Sequence, residues 1–193
     1  MTTYRKCTVC KKKVLKEDAS YNQLKAFCCF EHMIEYTKSP AAQKTIAKVH
    51  RSEIAKAMQR LKTKTSWLAE AQAAFNKYIR MRDRYHKQGC ISCDLDWKGI
   101  ESSGVDAGHY ISRRVSGLRF NTWNVHAQCK HDNRYKLGNI IEYRKRLIQR
   151  IGLAKVEWLE ANTNSSKKLT IHYLQRVKSI FTKRARLIEK RIQ

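Results

Sequence analysis

The stretch that decides the fold is "VDAGHYISRRVSGLRFNTWNVHAQCKHDN", Val105–Asn133, which holds three His, three Asn, two Asp and one Cys. Val105 to Ile111 alternates in the manner of a strand, and Leu118 to Asn121 reads as its partner. Gly117 and a loop rich in Ser and Arg join them. A helix is expected to begin near Cys129 and to carry Asn133 and Lys136. Trp123, like Trp97 upstream, reads as core or hairpin packing.

Outward from this stretch, each side supplies part of a metal site. Cys90 and Cys93 form a C-x2-C pair in "CISC", and Cys129 opens "CKHD". Paired cysteines make a tetrahedral soft-ligand set suited to zinc. The fourth position is Asp132, with His131 as the rival. Three thiolates and a carboxylate bind zinc less tightly than four thiolates. Near the N-terminus, "CTVC" and "FCCFEH" offer Cys7, Cys10, Cys28 and His32, with Cys29 competing for the place of Cys28. A segment under ~40 residues buries little core, so a structural Zn²⁺ is a sensible staple. One or two structural Zn²⁺ are expected. Reduced, unligated thiols are the plainer alternative. The seven cysteines are an odd number. The first residues show no apolar leader, so a reducing, cytoplasmic compartment is expected and disulfides are not.

All seven glycines fall between Gly89 and Gly152, and the only proline is Pro40. A turn-rich centre is therefore flanked by helical arms. Four segments are expected: an N-terminal zinc-binding module over 1–39, a long basic helix over 40–88, the core over 89–152, and a basic helical region over 153–193. Ser39 and Pro40 suit a helix start. One continuous helix is expected from Ala41 to about Tyr85. Ile54, Leu61, Leu68 and Phe75 recur at seven-residue spacing beside Met58 and Ile79. That stripe suits either a homodimer seam or packing on the chain's own domain. Thr65 and Gln72 interrupt it and favour packing. "GNIIEYRKRLIQRIG" reads as a helix capped by Asn139, with Glu142 in a capping box and Gly152 at its end. The linker "ANTNSSKK" precedes a last helix carrying Ile171, Leu174, Val177, Phe181, Leu187 and Ile188. The fold class is α+β and predominantly helical, with a small zinc-stapled strand-strand-helix core between long helices.

Forty-one Lys and Arg stand against sixteen Asp and Glu, a formal charge of +25. Such a chain needs an anionic partner, and nucleic acid is the usual one, because phosphate contacts release counterions. The basic residues are spread along the chain, not clustered as at a membrane surface. No apolar run approaches the ~20 residues that span a bilayer. Neither a membrane nor a small-molecule substrate is expected.

Strand, strand and helix, with a histidine on the first strand and asparagines in the loop and helix, is the arrangement of a ββα-metal nuclease site. Phosphodiester cleavage needs an attacking water, a base to deprotonate it and a cation to neutralise developing charge. His109 fits the base. Asp106 and Asn133 fit oxygen ligands of Mg²⁺ or Mn²⁺. Asn124 fits the residue that fixes the loop and aims the base, and His126 suits a ligand or a hydrogen-bond partner. Arg113, Arg114, Arg119, Arg134 and Lys136 flank these positions and suit phosphates, or form a solvated charge cluster. Alone, His109 reads as an ordinary strand histidine and Asn121 and Asn124 as turn formers. The combination with the cysteines carries the argument.

The pattern "CISC", "VDAGHYISR", "LRFNTWNVHAQC", "DN" and "KLGNIIEYR" resembles the lambda-phage NinG (Rap) family of recombination endonucleases, and more broadly the HNH group. The N-terminal cysteines and the helical linker share the likeness, so it covers most of the chain. The resemblance implies a structure-specific nuclease acting on branched double-stranded DNA, such as Holliday junctions and D-loops, during phage recombination in the bacterial host cell. It also implies His109 as general base, Asn124 as the middle Asn of the HNH motif, and Asn133 in place of the last, metal-binding His. The chain departs from the HNH pattern at Gly108, where many sites have a metal ligand, and at Asp132, where a second knuckle cysteine is usual. A non-catalytic zinc-containing DNA-binding accessory protein is the competing expectation, and an RNA-binding protein a third.

Overall fold

A computed structural model describes residues 3–22 and 25–192. The chain divides into two units, Met1–Lys62 and Thr63–Gln193.

In the first unit, β1 (Tyr4–Lys6) pairs antiparallel with β2 (Lys13–Leu15), and β3 (Ser20–Asn22) with β4 (Lys25–Phe27). Helix α1 (Phe30–Lys38) follows, then α2 (Pro40–Leu61). Ser39 caps α2 as expected: its Oγ accepts from the Ala42 N–H at 3.3 Å, with Pro40 in the first turn. Such strands are too short to stand without further support. Among the described residues of this unit, Cys7, Ala26, Phe27 and Ala42 are buried.

The single long helix expected over residues 41–85 is broken. Lys62 and Thr63 adopt extended backbone, and α3 (Lys64–Tyr85) starts afresh. Thr63 Oγ1 accepts from the Ser66 N–H at 3.2 Å, so a local cap outcompetes helix continuation. The apolar stripe divides with the helix. Ile54, Met58 and Leu61 on α2 are exposed, whereas Phe75 and Ile79 on α3 are fully buried.

In the second unit α3 packs along α8 (Ile171–Ile192) and lies against both strands of a hairpin, β5 (Val105–His109) and β6 (Val125–Cys129). Trp67, Phe75 and Ile79 meet Leu174, Val177 and Phe181 there, with Phe120 and Val125 completing the cluster. Burying each large side chain stabilises by about 1.5–3 kcal/mol. Of the apolar residues at near-helical spacing on this helix, Ile171 and Leu187 are exposed, and Ala185 is buried. A second cluster joins Ile91, Tyr110 and Leu118 to Tyr143 and Leu147 of α6 (Ile140–Ile151) and to Val156 and Leu159 of α7 (Leu153–Ala161). A third holds Cys90, Ala127 and Cys129 with Ile100 of α4 (Trp97–Ser103). Helix α5 (Lys130–Tyr135) follows β6 directly. Among the described residues, no helix is long and apolar enough to cross a membrane.

The hairpin's second strand is not Leu118–Asn121. It is β6, in register Val105↔Cys129, Ala107↔Ala127 and His109↔Val125. The segment 115–124 is a chain of turns, in which Leu118, Asn121 and Asn124 donate to the carbonyls of Val115, Leu118 and Asn121. Leu118 and Phe120 alternate because each enters a different core cluster, not because the backbone is extended.

Beneath β6 lies a buried charged group. Asp83 of α3 accepts from the Ala127 N–H at 2.7 Å and from Arg82 Nε at 2.6 Å, with Arg150 at 3.8 Å. Burial would raise the Asp83 carboxyl, but the neighbouring His126 ring and the Arg82 charge hold it well below the usual range. A depressed carboxylate contributes stability above its unfolded pKa of about 3.9, and that stability is lost as pH falls through the folded value. Asp83→Asn leaves buried guanidinium charge uncompensated and is expected to cost about 3–5 kcal/mol at neutral pH. Urea unfolding checks this. The gap between wild type and variant should narrow below about pH 4. Equal stability at pH 7 contradicts the assignment.

Candidate active site and metal centres

An open cleft of about 580 Å³ lies where β5, the following loop and the end of α5 converge, and His109, Ser112, Arg113, Asn133 and Leu137 line it. His109 ends β5, and its Nε2 lies 3.1 Å from the Arg119 carbonyl. A carbonyl accepts only, so Nε2 carries the proton and Nδ1 keeps a lone pair. Burial lowers the His109 pKa, and the charges of Arg113 and Arg119 lower it further against the raising carbonyls of Arg119 and Ala107. The ring is neutral near pH 7, in the state a base requires.

Asn124 is fully buried beneath this loop. Its Oδ1 accepts from the Ile111 N–H at 2.7 Å, and its Nδ2 donates to the carbonyls of Ile111 at 2.9 Å and Leu118 at 3.2 Å. One amide thus ties together the two ends of the loop after His109.

Asn133 Nδ2 donates to Asp106 Oδ2 at 3.0 Å. A carboxylate demands a donor, so the amide oxygen of Asn133 is turned elsewhere. Asp106 itself stands one hydrogen bond behind the cleft lining. Arg134 grips it with two bonds, Nε to Oδ2 at 2.8 Å and Nη2 to Oδ1 at 3.1 Å. Despite partial burial, Arg134 and Asn133 hold the Asp106 carboxyl below its ordinary range.

His126 does not join these groups. Its Nδ1 accepts from Arg82 Nη2 at 2.9 Å, beside Asp83, and its buried Nε2 has no hydrogen-bond partner among the described residues. Of the two roles expected of His126, that of hydrogen-bond partner is the one the structure shows. Gly108 has a structural reason. A Cβ there would come within 2.0 Å of the Gln128 side-chain oxygen. Gln128 is buried, and its Nε2 donates to Ser92 Oγ at 2.8 Å and the Gly138 carbonyl at 2.7 Å.

Two groups of side chains could hold structural zinc: Cys7, Cys10, Cys28 and His32, and Cys90, Cys93, Cys129 and Asp132. In each, the donor atoms lie within 4.8 Å of one another. With Zn–S near 2.3 Å, tetrahedral sulfurs sit about 3.8 Å apart. Cys93 and Cys129 sulfurs are 3.9 Å apart, Cys10 and Cys28 3.5 Å, and Cys7 Sγ lies 3.9 Å from His32 Nδ1. Cys28, not Cys29, belongs to the N-terminal set. Asp132, not His131, belongs to the central one. Against its burial, backbone amides of Cys28, Cys10 and Val9 draw the Cys7 thiol down to about 6. Burial and the neighbouring Cys90 push Cys93 up to about 12, and burial raises Cys129. Crowded thiols that resist joint ionisation suit a cation that neutralises them.

A family profile described as Bacteriophage Lambda NinG protein matches residues 1–191. The chain belongs to the NinG family. Protein ninG of Salmonella phage P22 is 38% identical over 128 residues, covering 62% of this chain and 60% of the relative. Protein ninG of Escherichia phage lambda is 38% identical over 133 residues, covering 65% and 62%. That of Escherichia phage 933W is 42% identical over 105 residues, covering 54% and 49%. The chain thus aligns with less than two thirds of the length of these relatives. No solved structure matches it.

Of the cations singled out in this NinG-family chain, Arg113 lines the cleft and Arg114 is exposed. Arg119 donates to Gln72 Oε1 at 2.9 Å, Arg134 is committed to Asp106, and Lys136 lies 3.4 Å from Asp132. Asp83, Arg82, Gln128 and Arg150 escaped sequence reasoning. Their role depends on partners distant in sequence, Asp83 lying 44 positions from Ala127 and Gln128 36 from Ser92.

Purified without chelators, the chain is expected to carry two zinc ions, as measured by dye-coupled metal release. Cys10→Ser and Asp132→Ala should each remove one. Full retention in either variant contradicts that donor set.

Proposed function

We propose that the chain is a metal-dependent endonuclease that hydrolyses phosphodiester bonds in branched DNA, such as Holliday junctions and D-loops, during phage recombination in the cytoplasm of a bacterial host. The observation that carries this reading is the cleft that a neutral His109, with Nε2 committed to the Arg119 carbonyl, lines together with Asn133. On this reading β5, β6 and α5 are a ββα-metal, HNH-like core. Asn133 Oδ1, the Asp106 carboxylate and the scissile phosphate would hold Mg²⁺ or Mn²⁺. The cation supplies charge neutralisation at the phosphate.

The chain's own groups divide the remaining work. His109 Nδ1 takes the proton of the attacking water, and the Arg119 carbonyl keeps the ring in the required tautomer and orientation. Asn124 holds the loop that presents that carbonyl. Arg113 offers a charge-assisted contact to a phosphate in the cleft. The net charge of +25 brings the duplex to the site without sequence preference.

One observation favours the second reading, a non-catalytic zinc-containing DNA-binding accessory protein. Both Asp106 oxygens are bonded to Arg134, and a cation at Asp106 has to displace that guanidinium. The two readings separate on turnover. A labelled four-way junction and a matched linear duplex are incubated with Mg²⁺, Mn²⁺ or neither. Metal-dependent nicks at the branch, reduced about 10²–10⁴-fold in His109→Ala, are expected. Tight binding without cleavage in either metal establishes the accessory reading.

The pH profile gives an independent check. Because His109 loses its proton more readily than usual, the acid limb of the cleavage rate should have its midpoint below about 6.5, with a plateau above it. A limb still rising steeply above pH 7.5 rejects His109 as the base.

A further inference from the structure

The turn at Leu137, Gly138 and Asn139 has positive φ at all three positions, 51°, 84° and 45°. Glycine adopts such angles freely and asparagine tolerates them, but a leucine is strained by its own Cβ. Packing does not compensate, because Leu137 is 91% exposed. Neither backbone preference nor burial accounts for a leucine here.

The turn is firmly mounted. The Gly138 N–H donates to the Asp132 carbonyl at 2.9 Å, and the Asn139 N–H to the Lys136 carbonyl at 2.8 Å. Gln128 holds the Gly138 carbonyl from below. Asn139 Nδ2 donates to the Ser92 carbonyl and to the Asp132 carboxylate, each at 3.0 Å. A strained conformation persists where its surroundings over-determine it, and such places are drawn from binding sites.

Its location matters as much as its shape. Leu137 and Ile140 line the rim of the cleft that holds His109 and Arg113. Tyr135 and Ile141 are exposed beside them. A single exposed leucine is ordinary. Four exposed apolar residues within 135–141, two of them on the rim of a cleft in a strongly basic chain, suit a partner that is both anionic and apolar inside. Stacked DNA is such a partner.

We propose that Leu137 is a wedge that enters the base stack of DNA lying in the cleft and so selects branched DNA. This rests on the nuclease reading of the cleft. Apolar side chains inserted between base steps must unstack them. That cost is smallest where a branch has already interrupted stacking. A rigid apolar point therefore converts local DNA shape into affinity. Phosphate contacts from Arg113 and its neighbours carry no such discrimination.

The test uses the full chain, without added Mg²⁺ or Mn²⁺, and a four-way junction with 2-aminopurine beside the branch. Emission reports unstacking, and anisotropy of the same sample reports binding. Leu137→Asn removes the wedge while relieving the backbone, so folding is retained. Leu137→Met keeps an apolar reach. Wild type and Leu137→Met should raise emission several-fold on the junction. Leu137→Asn should bind the junction and duplex almost equally and give no rise. An unchanged rise in Leu137→Asn overturns the wedge, as does junction binding by wild type without any rise. In either case, metal-dependent cutting by wild type would leave the nuclease reading intact. A wild-type chain that binds neither DNA overturns both.

Discussion

The Asp132 carboxylate is the point on which the site depends. It is 1% exposed, and its Oδ2 accepts from Ser92 Oγ at 2.8 Å and from Asn139 Nδ2 at 3.0 Å. The same residue belongs to the donor set with Cys90, Cys93 and Cys129. Its backbone N–H points to Cys129 Sγ, and its carbonyl receives the Gly138 N–H. One buried anion therefore connects the cysteine knuckle, the start of α5 and the left-handed turn at the cleft rim. A second cysteine at this position could supply a stronger zinc ligand, but it could not accept from Ser92 and Asn139 in the same way. The departure from the paired-knuckle pattern thus has a structural purpose of its own.

A wider electrostatic economy follows. Acids are scarce in this chain, and the second unit places several of them against specific cations. Asp83 faces Arg82 and Arg150 beneath β6, Asp106 faces Arg134 at the cleft, and Glu160 binds Arg144 while accepting from Tyr110. Buried charges need such partners, because desolvation without compensation costs several kcal/mol per ion. Other acids stay at the surface, Asp94 among them where Arg146 reaches it, and forty-one Lys and Arg against sixteen Asp and Glu leave the chain strongly basic.

Much of this was legible in the sequence, and the failures have physical causes. The two zinc sets were readable because knuckle spacing fixes ligand geometry locally. Strand β5 was readable from its alternation. Strand β6 was not, since all five of its residues are buried, and His126 and Gln128 each find a partner, Arg82 and Ser92, far off in sequence. The true partner strand thus lacked the period that marks a half-buried strand, while "LRFN" imitated it by sending Leu118 and Phe120 into separate clusters. The break at Lys62–Thr63 carried a signal, the Thr63–Ser66 cap, that the surrounding helix formers obscured. Asn139 reads as a helix cap, yet its side chain makes no cap bond and instead holds Ser92 and Asp132. Local propensity identified the residue as special, and only tertiary contacts assigned its task.

On the proposed function, Asn133 and Asp106 receive a hard divalent cation beside a neutral His109. The most direct measurement is a crystal structure of the chain bound to a four-way junction with Mn²⁺, with anomalous scattering recorded at the manganese edge. A peak is expected within bonding distance of Asn133 Oδ1, with Arg134 withdrawn from Asp106 and the His109 Nδ1 facing the adjacent phosphate. A cleft with DNA bound, no manganese peak and Arg134 still seated on Asp106 would contradict it.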